Sequence, residues 1–133
     1  MKSIITSGKR KSATARAVII NGSGIVKVNG RLVKFYEPHI ARMKLEEPLL
    51  IAGDAASVFD IKVKVTGGGP MSQAEAGRIA IAKALVNATK DKKLEKAYLE
   101  YDRHMIVADV RRREVRKPNT HGKARAKRQK SYR

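Results

Sequence analysis

Lysine and arginine are the residues of this chain whose number and spacing point to chemistry. The 133 residues contain 30 of these cations and 12 acids, which gives a net charge of +18. Eleven of the cations and one acid lie in residues 111–133, so this stretch alone carries +10. Clustered cations bind nucleic acids by neutralising phosphates and releasing counterions. The composition therefore predicts a nucleic-acid partner. A membrane surface is disfavoured, because no segment reads as an amphipathic helix with apolar bulk opposite a basic face.

The basic residues form an early cluster after Gly8 and a long run at the end of the chain. Mixed lysine and arginine with small spacers suits contacts that follow a nucleic-acid backbone. Tyr132 could stack on a base or a sugar, or it could be a mobile exposed tyrosine. We predict RNA contacts at these cations: Lys9, Arg10, Lys11, Arg16, Arg111, Arg112, Arg113, Arg116, Lys117, Lys123, Arg125, Lys127 and Arg128.

The C-terminal stretch cannot bury a core of its own. After Val115 it contains no valine, isoleucine, leucine, phenylalanine, tryptophan or methionine, and Pro118 and Gly122 interrupt any helix. Such a segment stays unfolded until phosphates order it. We therefore predict a globular body over residues 1–115 and an extended basic tail over residues 116–133.

Gly67, Gly68 and Gly69 form a loop between a predicted strand and a predicted helix. That arrangement can present backbone N–H groups and the positive end of a helix dipole to a phosphate. The nucleotide-binding versions are absent, because neither a following Gly-Lys-Ser/Thr nor the G-x-G-x-x-G spacing is present. Two interpretations remain open: a purely structural turn, and a turn that also contacts an RNA phosphate.

Enzyme chemistry has little support in the sequence. Asp102 lies two residues before His104, and such a pair can orient a general base. No cysteine, serine elbow or spaced carboxylate pair accompanies it, so we interpret the pair as the end of a helix and the start of a strand. Zero cysteines and three scattered histidines also exclude thiolate zinc sites. We predict no catalysis, no cofactor and no metal.

The elements that position these residues show two kinds of apolar spacing, the period of two of a strand and the period of about 3.6 of a helix. Phe59 to Thr66 alternates strictly, with Lys62 and Lys64 on the polar face. Ser72 and Glu75 have capping-box spacing, and Ile79 and Val86 lie opposite the main apolar stripe of that helix, so a second covered side is expected. The predicted elements are a hairpin of strands 13–20 and 25–28, a helix between Pro38 and Gly53, a strand 59–66, a helix from Ser72, a helix capped by Asp91 and a last strand 105–110.

This order predicts an α+β domain in which helices cover one face of a mixed sheet. Gly77 is expected to let the helix that contains it approach the sheet closely.

Several short stretches resemble the universal small-subunit ribosomal protein family numbered nine. They run in the family's order over nearly the whole chain: 7–13 (SGKRKSA), 28–31 (VNGR), 66–69 (TGGG) with Gln73 and Ala74, and 123–133 from KAR to SYR. The Ser-Tyr-Arg ending and the proline after three glycines look like the archaeal and eukaryotic branch. The absence of a long N-terminal extension favours the archaeal type.

The resemblance implies a fold like the second domain of ribosomal protein five, with a four-stranded sheet. It also implies a place in the head of the small subunit of cytoplasmic ribosomes, bound to small-subunit rRNA and next to other head proteins. The tail would reach peptidyl-site tRNA through Arg133, with Lys130 beside it. Tyr132 stands where bacterial members have a lysine.

Two other classes of protein share part of this pattern. A free-standing RNA or DNA chaperone would have the same charge without needing the family stretches in the body. A nucleotide-binding enzyme would use the glycine loop, and an absence of nucleotide binding would dismiss it. Raising the salt concentration distinguishes a chaperone from a ribosomal protein, because a chaperone would leave ribosomal particles at moderate salt.

Overall fold

The computed structural model describes residues 3–125 of the chain. Over that range four strands come first, and a fifth strand lies among the helices that follow. In chain order they are β1 (Ile4–Arg10), β2 (Ala13–Asn21), β3 (Val26–Val28), β4 (Arg31–Leu32), a 3-10 helix (Val33–Phe35), α1 (His39–Ala52), α2 (Asp54–Ser57), β5 (Phe59–Thr66), α3 (Pro70–Thr89), α4 (Lys92–Tyr101) and a second 3-10 helix (Arg103–Met105).

One sheet contains all the strands of the described range, in the order β1-β2-β5-β3-β4. β2 is antiparallel to both β1 and β5, β3 is parallel to β5, and β4 is antiparallel to β3. The predicted α+β class with a mixed sheet is confirmed, but the predicted number of four strands is wrong, because the sheet has five.

The predicted hairpin of strands 13–20 and 25–28 is wrong, because β5 lies between them. The turn itself occurs, but it is bonded to the start of β5: Gly22 N–H donates to the carbonyl of Val58, the residue before β5, at 2.8 Å. The Asp60 carboxylate then accepts the N–H groups of Ser23 and Ile25 at 2.8 and 2.9 Å. β5 has the strongest apolar alternation in the sequence. Such a strand is stable in the middle of a sheet, with a partner strand on each side and one face buried.

β1 was not predicted, because its inward residues are small or polar. Thr6 and Gly8 are buried against α3. The Thr6 hydroxyl donates to Ala80 O at 2.8 Å. A Cβ on Gly8 would lie 2.3 Å from Ala76 O, so glycine lets the strand approach the helix backbone. This packing leaves no apolar alternation for the sequence to show.

The predicted last strand over 105–110 is also wrong. Met105 is buried at the end of a 3-10 helix, and the N–H groups of Ile106 and Val107 donate to Arg103 O at 3.3 and 3.0 Å. Local bonds therefore take the donors that a strand would offer to a ladder. The apolar residues here are explained by packing and not by sheet formation.

α3 lies at the centre of the molecule, and contacts β1, β2 and β5 on one side and α1 and α4 on others. The expected second covered side is confirmed, since Ile79 is buried and Val86 half-buried. The capping box is wrong: α3 begins at Pro70 after Gly69, with no side-chain cap. Gly77 is packed between α1 and the sheet, since a Cβ there would lie 2.8 Å from Leu45 Cδ2 and 3.9 and 4.0 Å from Val65 Cγ2 and Val63 Cγ1 of β5.

The other helix boundaries follow the sequence closely. α1 begins directly after Pro38 and ends at Gly53, whose N–H donates to Leu49 O at 3.0 Å. Asp91 caps α4 as predicted and accepts Lys93 N–H at 2.8 Å. Tyr98 of α4 is fully buried, and its hydroxyl donates to Pro48 O at 2.7 Å, which ties α4 to α1.

The core lies between the helices and one face of the sheet. The inward residues of β2, β3 and β5 are buried, while their alternate residues are exposed. The prediction that helices cover one face is confirmed. The opposite face of the central strands is open to solvent, and the basic residues of those strands project from it.

Candidate nucleic-acid interface

The tight turn between β1 and β2 holds the first predicted basic cluster. Lys9 and Lys11 are exposed there, and Arg16 is exposed further along β2. Arg10 differs, because its side chain is only 18% exposed and its Nε donates to Glu75 Oε2 at 2.7 Å. Arg10 also pairs with Asp109. The structure therefore divides this cluster into outward cations and one arginine that is tied to the body.

The glycine loop packs against the same turn. Gly67 and Gly68 have φ values of 75° and 66°, which disfavour side chains. A Cβ on Gly67 would lie 2.6 Å from Ser12 O, and one on Gly68 would lie 3.0 Å from Ala13 N. These contacts account for the first two glycines as a structural turn. Gly69 is different, since nothing lies within 4 Å of its Cβ position. Contact with a phosphate stays a prediction.

The start of the C-terminal segment is anchored beside that turn by Asp109, which is buried. Its carboxylate accepts Arg111 N–H at 2.9 Å and pairs with the Arg111 guanidinium at 3.3 Å and with Arg10. Arg111, Arg112 and Arg113 then line a shallow depression together with Arg10, Lys11 and Ser12. We call the outward groups of this region the basic corner: Lys9, Lys11, Gly67 to Gly69 and Arg111 to Arg113.

A second charged network lies inside the body and was missed by the sequence analysis. Arg78 of α3 is buried, with its Nε 2.6 Å from Glu47 Oε2 and its Nη1 2.9 Å from Asp102 Oδ2. It connects α3 to α1 and to the end of α4. The sequence signal was an arginine next to the apolar positions of α3, in a helix that also contains Glu75 and Lys83.

The Asp102 and His104 pair has the structural role that the sequence favoured. Asp102 accepts the backbone N–H of His104 at 2.9 Å and ends α4, although a 3-10 helix follows where a strand was predicted. Burial raises the pKa of Asp102, but the His104 N–H and the Arg78 guanidinium outweigh it and hold that pKa below the usual value. A carboxylate held by a backbone donor and an arginine is not oriented to assist a general base.

The described part of the C-terminal segment turns back on itself. Lys117 N–H donates to Lys123 O at 3.2 Å, and the Thr120 hydroxyl donates to Lys117 O at 2.7 Å. Arg125 Nε donates to Glu114 Oε2 at 2.9 Å, which lowers the pKa of Glu114 and raises that of Arg125. The predicted extended tail is therefore not confirmed. Arg116 is exposed, and Lys127, Arg128, Lys130, Tyr132 and Arg133 lie outside the described residues.

The open face of the sheet adds a group of cations that the sequence did not assemble. Lys62 and Lys64 were recognised as one face of β5, but Lys27 joins them only because β3 is parallel to β5 and pairs Lys27 with Lys62. Arg16 completes the group, since it pairs with Lys64. Strand pairing over long sequence separations cannot be deduced from alternation alone.

Other kinds of site have no support within residues 3–125. No cluster of three or more histidine and acidic side chains in that range could hold a metal ion. None of the helices in the described part of the chain has the length and apolar character needed to cross a bilayer.

Fold and surface together define a class: a small α+β protein whose exposed cations suit a phosphate-rich partner. The comparison with protein families identifies it further. The family model "Ribosomal protein S9/S16" matches residues 8–133, and the chain belongs to that family. As a ribosomal protein of this family it is not an enzyme.

The chain is similar to archaeal proteins over their full length. It is 52% identical to the small ribosomal subunit protein uS9 of Thermoplasma acidophilum, over 98% of this chain and 100% of that protein. Proteins with the same name from Thermoplasma volcanium and Methanococcus maripaludis are 47% and 46% identical, each over 100% of both chains. These similarities confirm the resemblance drawn from the sequence.

Proposed function

We propose that this chain is a structural constituent of the head of the small ribosomal subunit and binds small-subunit rRNA. Family membership supports the ribosomal role. The observation that carries the RNA contact is the basic corner, where two groups far apart in sequence meet at the point where the C-terminal segment leaves the body. Neighbouring head proteins would be its protein partners, in cytoplasmic ribosomes.

The proposed division of labour follows residues 1–115 and 116–133. The body docks on rRNA through the basic corner, and the segment after it follows the RNA towards peptidyl-site tRNA. Lys130, Tyr132 and Arg133 would contact the tRNA, as the family resemblance implies. The charge distribution supports this division, since 111–133 carries +10 with few apolar residues, and counterion release supplies affinity while the rRNA supplies the shape.

Truncation tests the proposal. A chain that ends at Arg125 should still join small subunits, since the body and the basic corner are intact, but it should weaken tRNA binding at the peptidyl site. Incorporation is measured by sedimentation, and tRNA binding by filter retention on the purified subunits. Equal tRNA binding by truncated and full-length chains would refute the tRNA role. Release of the full-length chain at moderate salt would instead favour a free-standing chaperone.

The glycine loop is tested separately. Gly69→Ala fits the backbone and meets no neighbouring atom, so the free energy of unfolding should hardly change. If the loop contacts a phosphate, the added methyl group should still weaken rRNA binding several-fold. If binding is also unchanged, the loop is a structural turn only.

A further inference from the structure

On strands β2, β3 and β5, the open face of the sheet carries four cations that project away from the helices. Arg16 on β2, Lys27 on β3 and Lys62 and Lys64 on β5 are all exposed. They occupy the positions that alternate with the buried residues of the same strands. We call Arg16, Lys27, Lys62 and Lys64 the cationic face. It is defined separately from the basic corner, which lies around the β1–β2 turn and adjoins it through Lys9 on the same face of β1.

The register of the sheet places these cations directly opposite one another. Arg16 pairs with Lys64 across β2 and β5, and Lys62 pairs with Lys27 across β5 and β3. Across the antiparallel β2–β5 pair, directly opposite side chains have Cβ atoms about 4.5–5.5 Å apart, and like charges at that distance destabilise a sheet. This arrangement does not stabilise the free protein, and a negatively charged partner would relieve the repulsion.

Within residues 3–125, three of the four side chains of the cationic face have no acidic partner. Among residues 3–125, Arg16, Lys27 and Lys64 form no ion pair. Asp60 lies at one end of β5, but its carboxylate is held by the N–H groups of Ile25 and Ser23, which lower its pKa together with a smaller contribution from Lys62. Most of the positive charge of the face is therefore available to a partner.

The shape and chemistry of the face fit a phosphate backbone. Val18 lies between the cations in a shallow depression of about 820 Å³, bounded at one end by Asn29 and Gly30. Lys62 and Lys64 are two residues apart on one strand, which separates them by roughly 6.6 Å. Protein sheets that bind single-stranded RNA stack bases on aromatic side chains. The exposed positions of β2, β3 and β5 include no aromatic residue, so contact with phosphates is favoured over contact with bases.

We propose that the cationic face binds the phosphate backbone of folded RNA, as a second contact separate from the basic corner and the C-terminal segment. The proposal rests on the proposed function, because the RNA would be the small-subunit rRNA. Recognition there is by charge and shape and does not depend on base sequence. The opposite charges that are missing from the protein are supplied by the ligand.

The test compares two triple variants of the full chain. Lys27→Gln, Lys62→Gln and Lys64→Gln remove three cations from the cationic face. Lys92→Gln, Lys93→Gln and Lys96→Gln remove three exposed lysines of α4 instead, so both variants change the net charge from +18 to +15. The probe is transcribed small-subunit rRNA of Thermoplasma acidophilum, and binding is titrated across a range of salt concentrations.

The expected results differ in size and in salt dependence. If three phosphate contacts are lost, the slope of log affinity against log salt becomes shallower by up to about 2.7, and affinity at about 0.15 M salt falls by up to about 100-fold. The α4 variant should keep the wild-type slope. The cationic-face variant should also melt no lower than wild type, because it removes like-charge pairs. If the triple variant fails to fold, Lys64→Gln alone should reduce the slope by about one.

Three outcomes would overturn the inference. Equal slopes for the two triple variants, with wild-type chain still binding rRNA, refute the cationic face and leave the proposed function intact. An absence of binding by wild type refutes both. Unchanged rRNA affinity with lost incorporation into small subunits assigns the face to an acidic protein neighbour, for which exposed Ile5 and Leu32 at the two sides would supply apolar contacts.

Discussion

The cations beneath the basic corner and those of the cationic face are the same kinds of residue, but they differ in burial and in whether an acid pairs with them. Arg10 and Arg78 are buried or half-buried, and each lies between two carboxylates. Arg16 and Lys64 are exposed and face each other without an acid. The cations behind the net charge of +18 therefore fall into two groups: some hold elements of the body together, and others are exposed and available to a ligand. Removing a cation should therefore have opposite effects on stability in the two regions.

The largest effect on stability is expected at Arg78, because its side chain is buried between two carboxylates. Arg78→Met keeps the bulk but leaves Glu47 and Asp102 without their arginine. Removing one partner of a buried ion pair costs about 3–5 kcal/mol, and the partial exposure of both acids points to the lower end. Urea unfolding measures the loss. Arg103→Met, at an exposed arginine, is the control, and equal losses in the two variants would contradict a structural role for Arg78.

Asp109 is expected to have the next largest effect. Asp109→Ala removes the acceptor of Arg111 N–H and a partner of Arg10, at a cost of about 2 kcal/mol for hydrogen bonds to a charged group. Amide exchange at Arg111 should become faster because the start of the C-terminal segment is released. Asp54→Ala, at an exposed acid, should leave that exchange rate unchanged. Unaltered exchange in Asp109→Ala would show that other contacts hold the segment.

Asp102 is expected to give the body a smaller, pH-dependent part of its stability. Its pKa is lower in the folded chain than in the unfolded one. The stabilisation is therefore complete above the unfolded value, near 3.9, and is lost as the pH falls through the folded value. Asp102→Asn should make the decline of stability below about pH 4 less steep. Urea unfolding between about pH 3 and pH 7 measures it, and parallel curves for variant and wild type would argue against this role.

The smallest effect is expected on the cationic face, and it has the opposite sign. Lys64→Glu places an acid opposite Arg16, and an opposite-charge pair across two strands stabilises by about 0.2–1 kcal/mol. The free protein should therefore melt at a slightly higher temperature. Lys117→Glu makes the same change of charge at an exposed residue outside the sheet, and separates the pair from the general reduction of repulsion. A lower melting temperature for Lys64→Glu alone would mean that the cationic pair is not a source of strain.

The sequence predicted the elements whose signals are local. Asp91 capped α4, Gly53 ended α1, and the alternation of β5 placed Lys62 and Lys64 on one face. Each of these features depends on neighbours within a few residues, and so it can be recognised without knowing the fold. The resemblance to the ribosomal family also came from short stretches, because their order along the chain is specific.

The errors share a physical cause. β1 packs through Thr6 and Gly8, whose small side chains let the strand approach α3 but produce no apolar pattern. The hairpin failed because β5, more than thirty residues further along, pairs with β2 and β3. Residues 105–110 have a strand-like composition, yet they do not form a strand, because Ile106 and Val107 donate local hydrogen bonds to Arg103 O and Met105 is buried in the body. Pairing partners are decided by the whole core and not by the turn that precedes them.

The sequence by itself determined the excess of positive charge, its concentration in residues 111–133 and the family to which the chain belongs. These follow from residue types and their order, which no fold can alter. Only the tertiary structure decided which cations are held by carboxylates and which face one another across the open sheet. That assignment depends on distances of a few ångströms between residues far apart in the chain, and folding alone brings them together.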